Sequence, residues 1–286
     1  MLYLLTFGII FIWTVMLLRK KQLSWHSVIT AYVIGVLCSD IFEGLFNLIL
    51  ELYKFPTHLS TNPIYENELG IIFSDFLIFP FTLIIFVHYA AKTKHPWNVI
   101  LPFAIAFIFL ELIFLKLGYL EYRKWSILYS SFFFFAGFRF GAFLAPLITN
   151  YVPPIPYRVR LFCFSHTILM WTSAIFAMPL LKMYQFRPGW FQDFMTDCRV
   201  GELVTGDILG LLITIFIPVI SPKLKPLVFA CVTIIGIAIA LFSYHRGWLI
   251  YHDWNHFLTA SRYAASIALI MIYDRWELSY KIEKAQ

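Results

Sequence analysis

Charge is what this chain has least of. Asp, Glu, Lys and Arg make up 13% of its 286 residues, against 60% hydrophobic side chains and a mean hydropathy of +0.77. No soluble domain of that length buries so much apolar surface, which excludes a water-soluble enzyme or scaffold. Cysteine is sparse too. Cys38, Cys163, Cys198 and Cys231 lack the spacing of a metal or redox site, and three of them lie in apolar runs, where they read as small core residues. A Gly-rich phosphate loop, a Ser nucleophile motif and haem or iron–sulfur signatures are missing, so no cofactor and no metal is expected. The N-terminus lacks the charged segment and cleavage site of a secretory signal and reads as a retained first helix. The net charge of +6 sits at the ends of apolar runs rather than along one stripe, which argues for membrane topology and against nucleic acid.

The apolar runs are abundant. At about 20 residues per crossing, nine helices are predicted, near 2–18, 25–50, 69–91, 98–116, 127–149, 161–183, 202–221, 226–243 and 257–274. The fold class is all-α: a polytopic membrane helix bundle. Lys and Arg in alternate connections divide twelve to eight, which places the N-terminus outside and the C-terminus in the cytoplasm of a bacterial inner membrane.

The segment Gly118 to Trp125, G-Y-L-E-Y-R-K-W, returns at Gly247 to Trp254 as G-W-L-I-Y-H-D-W. The shared frame is Gly, aromatic, Leu, any residue, Tyr, two residues, Trp. Tyr53 with Tyr184, Asp75 with Asp207 and Pro96 with Pro226 follow in the same order at nearly the same offset. This predicts two fused copies of one four-helix unit. Residues 1–24 form an extra N-terminal helix and basic turn, 25–152 the first repeat, 153–160 a linker around Pro153-Pro154-Ile155-Pro156, and 161–286 the second repeat and tail. An even number of spans makes the repeats parallel. The Tyr and Trp of each frame suit the boundary between lipid and water.

Ionisable groups inside spans are costly and face the bundle interior, pair, or line a wet pathway. Here they are Asp40, Glu43, Asp75, Glu111, Arg139, His166, Asp207 and Arg262, with Glu202 at the mouth of the seventh helix. Asp40 and Glu43, three apart, share a helix face. At about 1.5 Å per residue, Asp75 lies roughly 9 Å below the outer end of its helix, and Asp207 lies equally deep in its own. Most of the acids thus collect in the outer half, where a polar pocket is expected. Asp40, Glu43, Asp75, Glu111, Glu202 and Asp207 are its candidate ligand-binding residues, with Arg139 and Arg262 as counter-ions. Two carboxylates close together in low dielectric cannot both stay ionised cheaply, so such a pair takes a proton or a cation. The competing reading has the same acids pair with the arginines and with Ser, Tyr and Trp donors, fixing helix packing alone. His252, Asp253 and His256 have spacing that could hold zinc, but they lie on an interfacial turn whose counterpart, Arg123-Lys124, is basic.

Glu111, Lys116, Gly118, Tyr122 and Trp125, with the stretch from Asp75 to Pro80 running on to the basic turn Lys92 to Pro96, resemble a family of uncharacterised multi-pass membrane proteins of endospore-forming Firmicutes. The likeness covers the second to fifth helices best. In the second repeat Ala240 stands where Glu111 stands in the first, so any chemistry is expected in the first copy. The resemblance implies no activity.

These residues lead to a membrane protein that binds or moves a small or lipophilic ligand in an outward-facing acidic pocket. Membrane lipid is its surroundings, and no protein partner is indicated. An intramembrane enzyme using Asp75 or Glu111 as general acid on an isoprenoid or lipid is the alternative. A structural or partner-binding membrane protein is the third.

Overall fold

The computed structural model describes residues 2–149, 155–177 and 180–285. Pro153 and Pro154 of the expected linker lie outside the described residues, as do Met178 and Pro179 near the end of the expected sixth helix. The chain forms two compact units, Met1–Ile155 and Pro156–Gln286.

Among the described residues nine helical rods follow one another. Unit 1 holds α1 (Leu2–Arg19), α2 (Trp25–Glu43) continued by a π-helical segment Gly44–Ile49, α3 (Pro63–Ile72) joined through a second π-helical segment Phe73–Ile78 to α4 (Phe79–Ala90), then α5 (Trp97–Lys116) and α6 (Ile127–Thr149). Unit 2 holds α7 (Tyr157–Phe176), α8 (Phe194–Phe216), α9 (Lys225–His245) and α10 (His256–Ala285). Seven rods are long and apolar enough to cross a membrane, which makes the chain a multi-pass helical membrane protein.

The other two, α8 and α10, fall short because they carry ion-pair partners. Arg262 on α10 pairs with Glu202 on α8 at 2.9 Å. At the far end of α10, Glu277 pairs with Arg160 of α7 at 2.6 Å, and Asp274 with Lys225 of α9 at 2.7 Å. Arg160 and Lys225 are therefore buried ion-pair partners rather than loop charges.

Three helices start earlier than hydropathy predicts. The rod expected from 69 begins at Pro63, the one expected over 161–183 runs Tyr157–Phe176, and the one expected from 202 begins at Phe194. The added turns carry charges, Glu66, Arg158 and Asp197 among them, so an apolar window misses them. Asp193 caps α8, its side chain accepting from Thr196 N at 2.8 Å.

The π-helical segment Phe73–Ile78 has a local cause. Pro80 has no N–H to offer the carbonyl of Phe76, and the hydroxyl of Tyr32 on α2 donates to that oxygen instead, at 2.8 Å. Ser39 Oγ, also on α2, donates to the neighbouring Asp75 carbonyl at 3.1 Å. A Cβ on Gly35 would lie 2.8 Å from Pro80 Cα, so α2 and α4 approach as closely as a glycine permits.

Each unit closes one end with a short antiparallel strand pair. β1 (Tyr53–Lys54) pairs with β2 (Glu121–Tyr122), placing Tyr53 opposite Tyr122. β3 (Tyr184–Phe186) pairs with β4 (Leu249–Tyr251), placing Tyr184 opposite Tyr251. The parallels extend to single groups. Arg123 N donates to Leu52 O and His252 N to Met183 O, both at 2.9 Å. Gly118 and Gly247 take φ of 74° and 73°, the left-handed turn that suits glycine. Trp125 Nε1 donates to Ser130 Oγ and Trp254 Nε1 to Thr259 Oγ1. In unit 1, α1 is tied to this end by Tyr3, whose hydroxyl donates to Tyr119 O at 2.6 Å.

Candidate functional site

Beneath the strand pair of unit 1 lies a cavity of about 110 Å³. Aromatic rings from α1, α2, α5 and α6, with Tyr53 and Trp125 from the cap, form most of its wall. Two carboxylates, Glu43 and Glu111, reach it from α2 and α5. Glu111 Oε1 accepts from Tyr122 Oη and from Ser130 Oγ, each at 2.5 Å, and Ser130 Oγ in turn accepts from Trp125 Nε1 at 2.7 Å. That network holds Glu111 against the cap and occupies one of its two oxygens.

The remaining polar atoms are not so satisfied. Glu111 Oε2, Glu43 Oε2 and Tyr53 Oη are buried without a hydrogen-bond partner of normal geometry. Glu43 is 3% exposed and Tyr53 4%. The Tyr53 hydroxyl faces Glu43, and Glu43 feels the charge of both Asp40 and Glu111. A buried acceptor left open costs about 1–3 kcal/mol, more if charged. Glu43, Glu111 and Tyr53 all line the one hollow. Burial, with Glu43 beside it, pushes the Tyr53 phenol well above its ordinary pKa, so it stands there as a hydroxyl donor.

The eight predicted site residues divide between the units. Glu43 and Glu111 line the cavity. Asp40 and Asp75 are buried next to it, and Asp75 Oδ1 accepts from Ser74 Oγ, a wall residue, at 2.9 Å. Arg139 is exposed on α6 and, among the described residues, joins no acid in an ion pair. Glu202 and Arg262 pair with each other in unit 2. Asp207 meets the buried His166 Nδ1 at 2.8 Å, a bond across helices.

The corresponding hollow of unit 2 measures about 20 Å³, little more than the room one water needs. Ala240 lines it where Glu111 lines the first cavity, and Ser173 stands beside the Tyr184 hydroxyl as Glu43 stands beside that of Tyr53. Arg262 reaches in, donates to Tyr184 Oη and binds Glu202, so its charge is compensated internally. The hollow of unit 1 thus has acids and space, whereas the corresponding hollow of unit 2 has an ion pair and little room.

Sequence reasoning missed two groups of residues. Tyr53, Tyr122, Trp125 and Ser130 belong to the site, although the three aromatic ones were legible only as marks of the repeat. Glu66 is the other: its carboxylate gathers the backbone N–H groups of Thr57, His58, Leu59 and Ser60, ordering the loop after β1. Asp197 does the same in unit 2 for Gly189, Trp190 and Phe191. An acid placed a dozen residues after a tyrosine strand in both halves was the available signal. The zinc reading gains no support: His256 packs against the rings of Tyr244 and Tyr251.

No protein-family model, no curated protein and no solved structure matches the chain.

Proposed function

We propose that this membrane protein binds a small or lipophilic ligand in the acidic, aromatic-walled cavity of unit 1. Glu43 and Glu111 supply negative charge there, and Tyr53 a hydroxyl. The observation that carries this reading is the meeting, in one aromatic-walled hollow, of two carboxylates and a phenol with no Lys or Arg in the lining. A purely structural role for the acids predicts the arrangement of unit 2, where Glu202 already has its arginine. The two π-helical segments support the same choice. Such segments often occur at functional sites, and both lie in unit 1, one starting directly after Glu43 and the other containing Asp75.

The two units are, on this reading, descendants of one duplicated four-helix unit. Matching strand registers, matching glycine turns and matching Trp to hydroxyl bonds support that descent. The first copy kept the acids and the second replaced them with a closed ion pair. In the orientation set by Lys and Arg, the capped end of unit 1 faces the outside of the cell.

Native mass spectrometry of the full chain, purified from its own membrane, tests the binding role. A low-mass species should stay with the wild-type protein and be lost from a Glu43→Gln, Glu111→Gln double variant that remains helical. Equal retention by both proteins, or no retained species in either, would remove the basis for this reading.

A further inference from the structure

The cavity beneath the cap has a neighbour at its inner end. Phe42, Glu43, Phe79, Phe133 and Phe134 also line a second hollow of about 210 Å³, deeper between α2, α4 and α6. Its other walls are apolar in effect. Ser39 Oγ donates to Gly35 O at 2.9 Å and Thr82 Oγ1 to Ile78 O at 2.7 Å, so both hydroxyls are turned back on backbone carbonyls. Glu43 is left as the one acidic group of the second hollow, and it stands where the two hollows meet.

The second hollow opens sideways. Cys38 of α2 and Gly137 of α6 are exposed on its rim, and a Cβ on Gly137 would meet nothing within 4 Å. Cys38 is about 20 Å from the start of the span Trp25–Ile49, and Gly137 about 15 Å from that of Ile127–Thr149. Both lie in the hydrocarbon zone, which is about 30 Å thick. Ile41 on α2 and Phe140 on α6, close to the rim in sequence, are exposed as lipid-facing residues are. What enters here enters from lipid.

Charge sets the other half of the requirement. No Lys or Arg lines either hollow, so an anionic ligand meets only carboxylates, whereas a cation takes the place of the proton that such a pair otherwise holds. The walls are rings rather than the six to eight oxygens that a calcium ion demands. Rings with a nearby carboxylate are the surroundings that suit an ammonium group, held by its charge and by the ring faces.

Resting on the ligand-binding reading above, we infer that the ligand is a membrane-dissolved amphiphile with an ammonium head. The head sits between Glu43 and Glu111, and the chain lies in the slot between α2, α4 and α6. A dry cavity of about 150 Å³ accepts benzene; the slot is larger, yet too small for a whole long chain. The remainder trails past Cys38 and Gly137 into the bilayer.

Calorimetric titration of the full chain in dodecyl maltoside tests this with three probes: dodecyltrimethylammonium, tetramethylammonium and dodecyl sulfate. The long-chain ammonium should bind at least about tenfold more tightly than tetramethylammonium, with no saturable binding of the sulfate. Glu43→Gln should weaken the long-chain ammonium at least about tenfold. Gly137→Leu, at a position with open space on the rim of the slot, should bring it down to the tetramethylammonium level. Equal affinity for the two ammonium probes overturns the chain slot, and equal affinity for the sulfate overturns the cationic head. Both results leave the acidic cavity standing as a binding site. If no probe binds while mass spectrometry still finds a species that depends on Glu43 and Glu111, this inference alone fails. If that species is absent as well, the binding role fails with it.

Discussion

Arg262 Nη2 lies 2.9 Å from Glu202 Oε2, and both side chains are more than nine-tenths buried between α8 and α10. Removing one partner of such a pair leaves a bare charge inside the protein, at a cost of about 3–5 kcal/mol. Replacing both with apolar residues of similar volume removes the desolvation penalty along with the attraction. Arg262→Met should therefore lower the thermal midpoint sharply, and Glu202→Leu added to it should restore most of the loss. Thermal unfolding of the two purified variants in detergent checks this. A double variant as unstable as the single one would mean that the pair contributes attraction beyond its desolvation cost.

Glu66 orders its loop by accepting from four consecutive backbone amides, and the bonds from Thr57 N and Leu59 N measure 2.6 and 2.8 Å. Glu66→Ala should release residues 57–60 to water at a cost of about 1–3 kcal/mol. That corresponds to a roughly five- to 150-fold faster exchange of those amides. Glu66→Gln, which keeps one carbonyl acceptor, should fall between. Hydrogen–deuterium exchange reads this directly, and unchanged protection in Glu66→Ala would show that the loop is held by its other contacts.

Much of this was legible in the sequence because lipid makes hydropathy a length gauge: about 20 apolar residues mean a crossing. The run Ile127–Thr149 matches its expected bounds for that reason. The signal weakens where a helix carries charges for a neighbour. Hence α8 was placed eight residues late, its first turns holding Asp197, Arg199 and Glu202. The π-helical segments escaped because nothing in periodicity marks them, although Pro80 was the clue to one. The site was half legible. Glu43 and Glu111 stand out as acids in apolar runs, but nothing in the sequence says which way such helices rotate, because apolar residues cover every face. Arg139 shows the consequence: expected as a counter-ion to the acids, it is exposed on α6.

Gly70 supports the loop after β1 from below. A Cβ there would lie 2.2 Å from the Phe55 carbonyl oxygen, a backbone atom that moves only with its loop. Gly201 in unit 2 is less constrained, since its Cβ would meet the Phe186 ring and the Pro188 ring at 3.0 Å. Gly70→Ala should cost about 1–3 kcal/mol through forced displacement, and Gly201→Ala less. Gly8→Ala, with nothing within 4 Å, serves as the neutral control. Thermal midpoints of the three variants give the ranking, and equal values for Gly70→Ala and Gly8→Ala would mean that Phe55 yields freely.

Four tyrosines of the two strand pairs, Tyr53, Tyr122, Tyr184 and Tyr251, all have phenol pKa values raised above the ordinary tyrosine value, chiefly by burial. For Tyr122 the hydrogen bond to Glu111 adds to the effect. The direction fixes the sign of the pH dependence. Above about pH 10 the unfolded chain releases phenol protons that the folded chain keeps, so it binds fewer protons and stability falls as pH rises. Below that value this contribution is fully present. Phenolate absorbance followed together with helical circular dichroism should show these phenols ionising late, together with loss of helix rather than before it. Tyr122→Phe should remove one phenol from the late group. Ionisation of every tyrosine at the ordinary value in a protein that is still helical would mean that both strand pairs are open to water, and that the cavity under the first has no lid.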